Sequence, residues 1–450
     1  MPGAHRIPAL RFLLPFAALA LAPEGCSSNP PRPAVTAQPM HAEAAEPVVA
    51  PRPVAPVFPV MLGIDVLQSE GFAPLVGKRI GLLTHRAGVN RLGVSTITVL
   101  RNARGVKFVS LFACENGLYG DTPSGKNYAD QVDPRTGILV HSLYGRNRKP
   151  TAAELHDIDA FVIDLQDVGA RSYTFVSAMK VAMEACFENN VEVVVLDRPN
   201  PLSGLKVDGP PLDPKHLSYV GEFPVPYVHG LTIGELARLA KYQPGVLQIP
   251  DDVRQRGRLT VIPMRGWKRG MRWSETGLAW VPTSPMIPNF PAVVGYPMTG
   301  LGSELSGFVT SKEFPFRGIS HKNIKPEVLE RELAAFHIPG LQFRRISVIN
   351  AKTGLPGTAL FIEISDWDAW RPTELSFYLM KLACKLQPKN PFAGLTPSET
   401  SLFVKLTGSP AFLKDIAAHG ASIDVDSYIR DWQLRAALFQ EQSRRYWIYP

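Results

Sequence analysis

Four groups of polar residues each stand at the end of a short apolar, β-prone run, and several of them are carboxylates. Thr84, His85 and Arg86 follow the run from Arg79 to Leu83, and Glu115, Asn116 and Asp121 follow Lys107 to Phe112. Asp164, Gln166 and Asp167 close the run that begins at Ala160, and Asp197, Arg198 and Asn200 follow Val191 to Leu196. In an open parallel sheet, ligands bind outside the carboxyl ends of the strands, so the four groups fall on one rim. A single Asp at a strand end is ordinarily a helix cap or a loop ligand. Four such groups on one edge point to a site. Carboxylates without a metal-ligand pattern suit glycosidic bond hydrolysis, where one acid protonates the leaving oxygen and another group supports water attack or the oxocarbenium-like charge.

Glu115 is the candidate acid, because a glutamate against Phe112, Leu118 and Tyr119 is expected to be partly buried, and burial raises a carboxyl pKa. Asp167, followed by Gly169 and Arg171, is the candidate partner carboxylate, with a structural salt bridge to Arg171 as the alternative. His229 precedes Gly230 and a helix start at Thr232, where it either binds a ligand or orients the loop. Trp267, Trp273 and Trp280 offer flat faces to sugar C–H groups or serve as core pegs. The run from Gly120 to Lys126 matches GxxxxGK, but Asn127 replaces the required Ser or Thr and Pro123 interrupts it. A nucleotide-binding loop there would be exposed by ATP or GTP binding that Lys126→Ala abolishes. Neither GxSxG nor GxGxxG occurs, so a hydrolase elbow and a dinucleotide fold have no local support.

The elements that must position these residues alternate. The apolar runs read as buried strands. Between them, Thr96 to Arg101, Thr151 to Leu155 and Tyr173 to Asn189 read as helices, the last placing Val176, Met179, Met183 and Cys186 near one face. Alternating strands and helices predict an α/β fold, a Rossmann-like open parallel sheet over residues 60–285. Helix Ile233 to Tyr242 and strand Leu259 to Pro263 complete it, and Gly266 to Pro297 reads as a long ordered connection. Residues 286–450 read as a smaller α+β domain. Its helices are expected at Lys325 to Phe336, Pro372 to Leu386, Pro410 to Ala418 and Val425 to Glu441, and its strands at Gln342 to Val348 and Thr358 to Ile364.

The chain's 450 residues are 45% hydrophobic and 20% charged, which excludes a disordered or collagen-like protein. The formal charge of +8 is spread without basic clusters interleaved with aromatics, which argues against a nucleic-acid partner. Residues 1–26 have Arg6 and Arg11 near an apolar run from Phe12 to Ala22, the pattern of a signal peptide. That predicts export, to a bacterial periplasm or outer envelope or into the medium. Cys26 resembles a lipoprotein processing site; a lipid anchor there and an unused cysteine beside an ordinary cleavage site both fit. Residues 27–59 are rich in Pro and Ala and read as an extended tether. Cys26 aside, Cys114, Cys186 and Cys384 are odd in number and lack CxxC or Cys/His spacing, so no disulfide framework, metal or cofactor is expected.

Several ordered motifs carry a family resemblance. They include Gly63-Ile64-Asp65-Val66-Leu67, Gly77 through Thr84, Asp164 through Arg171, Leu196-Asp197-Arg198-Pro199-Asn200-Pro201, His229 through Ala237, and Gly266 through Pro285 with its three tryptophans. The chain from about Gly63 to Ser409 resembles the NamZ family of exo-β-N-acetylmuramidases. The resemblance implies a Rossmann-like domain plus a smaller carboxyl-terminal one, with a cleft that releases terminal N-acetylmuramic acid from the non-reducing end of peptidoglycan fragments. It implies Glu115 and Asp167 as catalytic, and Asn116, Asp121, Asp164, Arg171, Tyr173, Asn200, His229 and Trp280 as substrate-binding. The sequence departs from the family pattern at Asn116, where a histidine is expected, and at His85, where asparagine is usual. It departs again over Ser303 to Phe316, where the family's charged residues do not line up. Those departures keep a second reading open, a relative that binds cell-wall sugars without cleaving them.

Overall fold

The computed structural model describes residues 60–349 and 354–450. The expected leader, tether and Cys26 lie outside the described residues. The body opens with α1 (Gly63–Ser69), β1 (Arg79–Thr84), α2 (Thr96–Arg101), β2 (Lys107–Ala113), β3 (Gln131–Val132) and β4 (Leu139–Ser142). It continues through α3 (Ala152–Leu155), β5 (Ala160–Asp164), α4 (Thr174–Glu188), β6 (Glu192–Leu196) and the pair β7 (Asp208–Pro211) and β8 (Pro226–Val228). Helices α5 (Ile233–Tyr242) and α6 (Asp251–Arg256) lead into β9 (Leu259–Ile262).

These strands build a sheet of order β3-β4-β2-β1-β5-β6-β9, parallel at every step except the β3–β4 edge. The strand order reverses between β1 and β5. Both faces are covered, which is why the strands read as nearly continuous apolar runs. Leu83, Phe112, Phe161, Ile163 and Val195 pack with α4 on one face, and Ile80, Leu82, Leu111, Val162 and Val194 pack with α1 and α2 on the other.

The second half holds α7 (Phe290–Ser306), β10 (Phe308–Thr310), β11 (Gly318–His321), α8 (Pro326–Ala334), β12 (Leu341–Ile349) and β13 (Pro356–Ile364). Four helices complete it: α9 (Glu374–Leu386), α10 (Pro397–Thr407), α11 (Pro410–His419) and α12 (Val425–Ser443). Its antiparallel sheet runs β10-β11-β13-β12. The fold is α/β with a Rossmann-like sheet followed by an α+β portion. No described helix is long and apolar enough to cross a membrane.

One expectation fails clearly. The stretch expected to connect up to Pro297 turns helical at Phe290, capped by Asn289, whose side chain accepts from Ala292 N–H. Gly295, Pro297 and Gly300 all weigh against a helix by propensity. Packing overrides them, since a Cβ at Gly295 would stand 2.7 Å from the Phe316 carbonyl oxygen. The small residue lets α7 approach the 311–318 turn.

Candidate active site

Glu115 stands just beyond β2, half-buried, beside the first turn of α4. Its Oε1 accepts from Gly125 N–H at 3.1 Å and the Tyr144 hydroxyl at 3.2 Å, and Oε2 accepts from Thr174 Oγ1 at 3.3 Å. All three donors are neutral and the bonds are long, so the carboxylate can exchange partners with an incoming ligand. Tyr144 has its own acidity suppressed to a pKa of about 12 by burial and by the Glu115 charge. It therefore stays a donor. The expected apolar wall of Phe112, Leu118 and Tyr119 is not formed. Phe112 and Leu118 belong to the cores on opposite faces of the sheet, and the Tyr119 hydroxyl donates to Asp133.

The carboxylate lines a cavity of about 130 Å³. The opposite wall comes from much later in the chain, with Ser284, Met286, Ile287, Tyr296 and Phe316. Ser172 and Tyr173 join Thr174 at the α4 terminus, and Ser172 Oγ lies 2.6 Å from the Tyr227 hydroxyl and 3.1 Å from that of Tyr296. Tyr173 donates its hydroxyl to Thr283 Oγ1 at 2.8 Å and meets Tyr296 edge-on. Sequence reasoning missed Ser124, Tyr144, Ser172, Thr174, Tyr296 and Phe316. Ser172 and Thr174 flank a named candidate and could have been found; the others become neighbours only through tertiary packing.

Asn116 also lines this cavity, in a left-handed conformation (φ 71°) that Asn tolerates better than most residues. Its amide donates to Thr122 O at 3.0 Å and Ser124 Oγ at 2.9 Å, tying the 116–125 loop beside Glu115. Asp121 is exposed on that loop and does not line the cavity.

Asp167 is buried but does not line the cavity. Its Oδ2 accepts from Gly169 N–H at 2.8 Å and lies 3.4 Å from His229 Nε2, while its Oδ1 has no partner. Leu231 N–H donates to His229 Nδ1, which leaves the proton on Nε2, facing Asp167. Gly169 (φ 80°) is required in this turn, because a Cβ would sit 2.5 Å from Asn200 Oδ1. The alternative of an Asp167–Arg171 salt bridge is not formed.

Three of the expected substrate ligands act elsewhere as braces. Arg171 is buried, donating Nη1 to the carbonyls of Pro210 and Val225 and Nη2 to that of Leu406. Burial lowers its pKa to about 10. Asn200 donates to Leu231 O and accepts from Leu202 N–H, closing its own turn. Asp164 is fully buried, pairing with Arg198 Nε at 2.6 Å and Nη2 at 2.8 Å and accepting from Thr96 Oγ1. This ion pair fills the point where the strand order reverses, the usual ligand crevice of an open α/β sheet. The sequence could not reveal the filling, because Arg198 is 34 residues away from Asp164.

Trp280 also lies outside the Glu115 cavity. It packs edge-on against Trp273 at 5.1 Å and lines a separate crevice with Asn90, Gln166 and Arg198. A larger cleft of about 690 Å³ is lined by His85, Arg86, Arg101 and Arg135, with no carboxylate in its wall, so it offers no acid for proton transfer. His85 itself is buried and accepts from Gln166 N–H through Nε2. Burial and the Arg198 charge lower its pKa to about 3.

Comparison with known proteins identifies the family. Residues 80–291 match the amino-terminal model of the exo-β-N-acetylmuramidase NamZ, and residues 294–449 match the carboxyl-terminal model. The peptidoglycan β-N-acetylmuramidase NamZ of Bacillus subtilis is 36% identical over 396 residues, 87% of this chain and 91% of that protein. The crystal structure of a DUF1343 family protein from Bacteroides fragilis superposes with a TM-score of 0.78 at 35% identity, covering 88% of this chain and all of the other. A second DUF1343 structure from that organism gives 0.66 at 26% identity, covering 87% and 99%. Matched along nearly all of its described body by both family models and by a full-length relative, the chain belongs to the NamZ family.

Proposed function

We propose that the protein is a glycosidase that removes terminal N-acetylmuramic acid from the non-reducing end of peptidoglycan fragments. The observation that carries this reading is Glu115, the one carboxylate among the described residues that lines the α4-terminal cavity, held by neutral donors. As general acid, Glu115 gives its proton to the leaving oxygen as the glycosidic bond opens. Tyr144 and Thr174 aim it. The cavity is smaller than pockets that take drug-sized ligands, which favours the end of a saccharide over an internal stretch.

Ser172, Tyr173 and Tyr296 are assigned to the sugar. Asp167, buried beside His229 and outside the cavity lining, is assigned to support the positive charge that develops on the ring without touching the substrate. Arg148 lies 4.2 Å over the Tyr219 ring and pairs with no carboxylate among the described residues. It is assigned to the lactyl carboxylate that distinguishes muramic acid from glucosamine. Export to the cell envelope follows from the reading of residues 1–26, and with it a lipid anchor at Cys26 as an open alternative to simple secretion.

The test is to incubate the purified full chain with N-acetylmuramyl-β-1,4-N-acetylglucosamine and assay free N-acetylmuramic acid. Release by the parent and none by Glu115→Gln supports the reading. Thermal protection by the disaccharide with no release from either protein overturns it in favour of a sugar-binding relative. Asn116, tied into its own loop where the family has histidine, would then be the residue to change first.

A further inference from the structure

Away from this cavity, Asp130, His141 and Glu154 bring one ligand atom each to within 4.8 Å of one another. His141 is on β4, Asp130 precedes β3, and Glu154 lies on α3. His141 Nδ1 is 2.9 Å from Asp130 Oδ2 and 3.6 Å from Glu154 Oε1. Donors about 2.0–2.2 Å from one zinc ion are separated from each other by roughly 2.8 to 3.6 Å at octahedral or tetrahedral angles. Both distances from the imidazole fall at that spacing.

Each carboxylate already has its other oxygen occupied by a backbone donor. Ser142 N–H donates to Asp130 Oδ1 at 2.9 Å, and Thr151 N–H donates to Glu154 Oε2 at 2.7 Å. This leaves Asp130 Oδ2 and Glu154 Oε1 as the two atoms facing the imidazole. Outer bonds of this kind orient metal-ligating carboxylates. Charge makes the second, independent argument. No lysine or arginine among the described residues pairs with either carboxylate, so the two carboxylate oxygens converge on the imidazole with no cationic side chain to pair them.

We infer that Asp130, His141 and Glu154 form a binding site for one divalent transition-metal ion of the zinc class. One nitrogen and two oxygen donors favour such an ion over magnesium or calcium, which prefer all-oxygen shells. Asp130 is 47% exposed, so the remaining coordination position faces water. The ligands span 25 positions in the sequence, and none of the familiar short metal motifs would reveal them.

The role assigned to the ion is bracing. It would join the β3–β4 edge to α3 just before the segment that carries Tyr144. His141 and Ser142 pair with Phe112 and Ala113 on β2, and Tyr144 bonds Glu115. The ion thus holds the frame of the acid from outside the cavity.

The test uses the tag-free full chain after chelation, titrated with Zn²⁺, with Mn²⁺, Mg²⁺ and Ca²⁺ in parallel, by calorimetry and thermal melting. The expected result is one Zn²⁺ per chain, a raised Tm, and binding weakened about 10-fold or more in Asp130→Asn. Asp130 is exposed, so this variant keeps the fold even if His141→Ala does not. Substitution with Co²⁺ should give a visible absorption band in the parent that is lost in Asp130→Asn. No stoichiometric zinc binding by the chelated parent overturns the inference, as does binding that Asp130→Asn leaves unchanged. Neither readout depends on muramidase activity, so this site and the proposed reaction can fail separately.

Discussion

Glu115 and Asp164 end the two strands that flank β1, and the fold treats them in opposite ways. Asp164 is fully buried and locked by two bonds from Arg198, a charged partner that is itself buried. Glu115 is half-buried and held by three neutral donors at 3.1 to 3.3 Å. A buried carboxylate with a matched guanidinium is fixed in one state, because removing either partner strands a charge out of water. A carboxylate on neutral donors has partners that a substrate can replace. Polar strand ends therefore divide into structure and site according to what comes to meet them from elsewhere in the chain.

The sharpest way to break this contrast is to remove the proposed acid. Glu115→Gln keeps the shape and loses the proton, and should lower the rate of muramic acid release by about 10² to 10⁴ with an unchanged urea midpoint. A stability loss without a rate loss would place Glu115 with the structural group. Arg198→Met tests the other side. It strands Asp164 and should cost about 3 to 5 kcal/mol in urea denaturation, while the folded fraction keeps its turnover.

His85 sharpens the comparison through pH. Its folded pKa of about 3 lies below its ordinary 6.5, so below pH 6.5 the unfolded chain takes up a proton that the folded chain refuses. Stability from this group is complete above pH 6.5 and is lost as pH falls toward 3. His85→Asn, which removes the titrating imidazole, should flatten that acid limb in Tm measured from pH 7 to pH 4. An unchanged limb would mean that other groups cause it. The smallest effect belongs to Tyr144→Phe, which removes one of three bonds to Glu115. It should lower kcat about 5- to 10-fold, in keeping with the roughly 1 kcal/mol net worth of a typical hydrogen bond, and leave KM nearly unchanged. A rise in KM alone would make Tyr144 a sugar ligand instead.

Much of the fold was legible because buried parallel strands are written as apolar runs, and four of them appear at their expected places. Helix α7 was not legible, since Pro297 and its glycines argue against a helix and only its packing against the Phe316 turn reveals it. The site was legible in part. Glu115, Asn116 and Tyr173 do line one cavity, but Arg171, Asn200 and Asp164 carry the same polar signature and are directed inward. Nothing local separates them, because their partners Leu406, Leu231 and Arg198 are fixed by topology. The far wall of the cavity, Tyr296 and Phe316, lies beyond any spacing rule for the same reason.

The last described residues return to the first sheet. Tyr449 bonds Asp197 and Met264 N–H, Arg269 N–H donates to the Pro450 carbonyl, and the Arg269 guanidinium stacks 3.7 Å over Trp447. The polar rim beyond β6 thus receives its last partner from residues 447–450. During vectorial synthesis Asp197 would already hold Arg198 N–H, Gly234 N–H and Thr232 Oγ1 and would wait only for the Tyr449 hydroxyl. Removing Tyr449 would therefore loosen the first sheet, at Asp197 and Met264, rather than the antiparallel portion nearer to it in sequence.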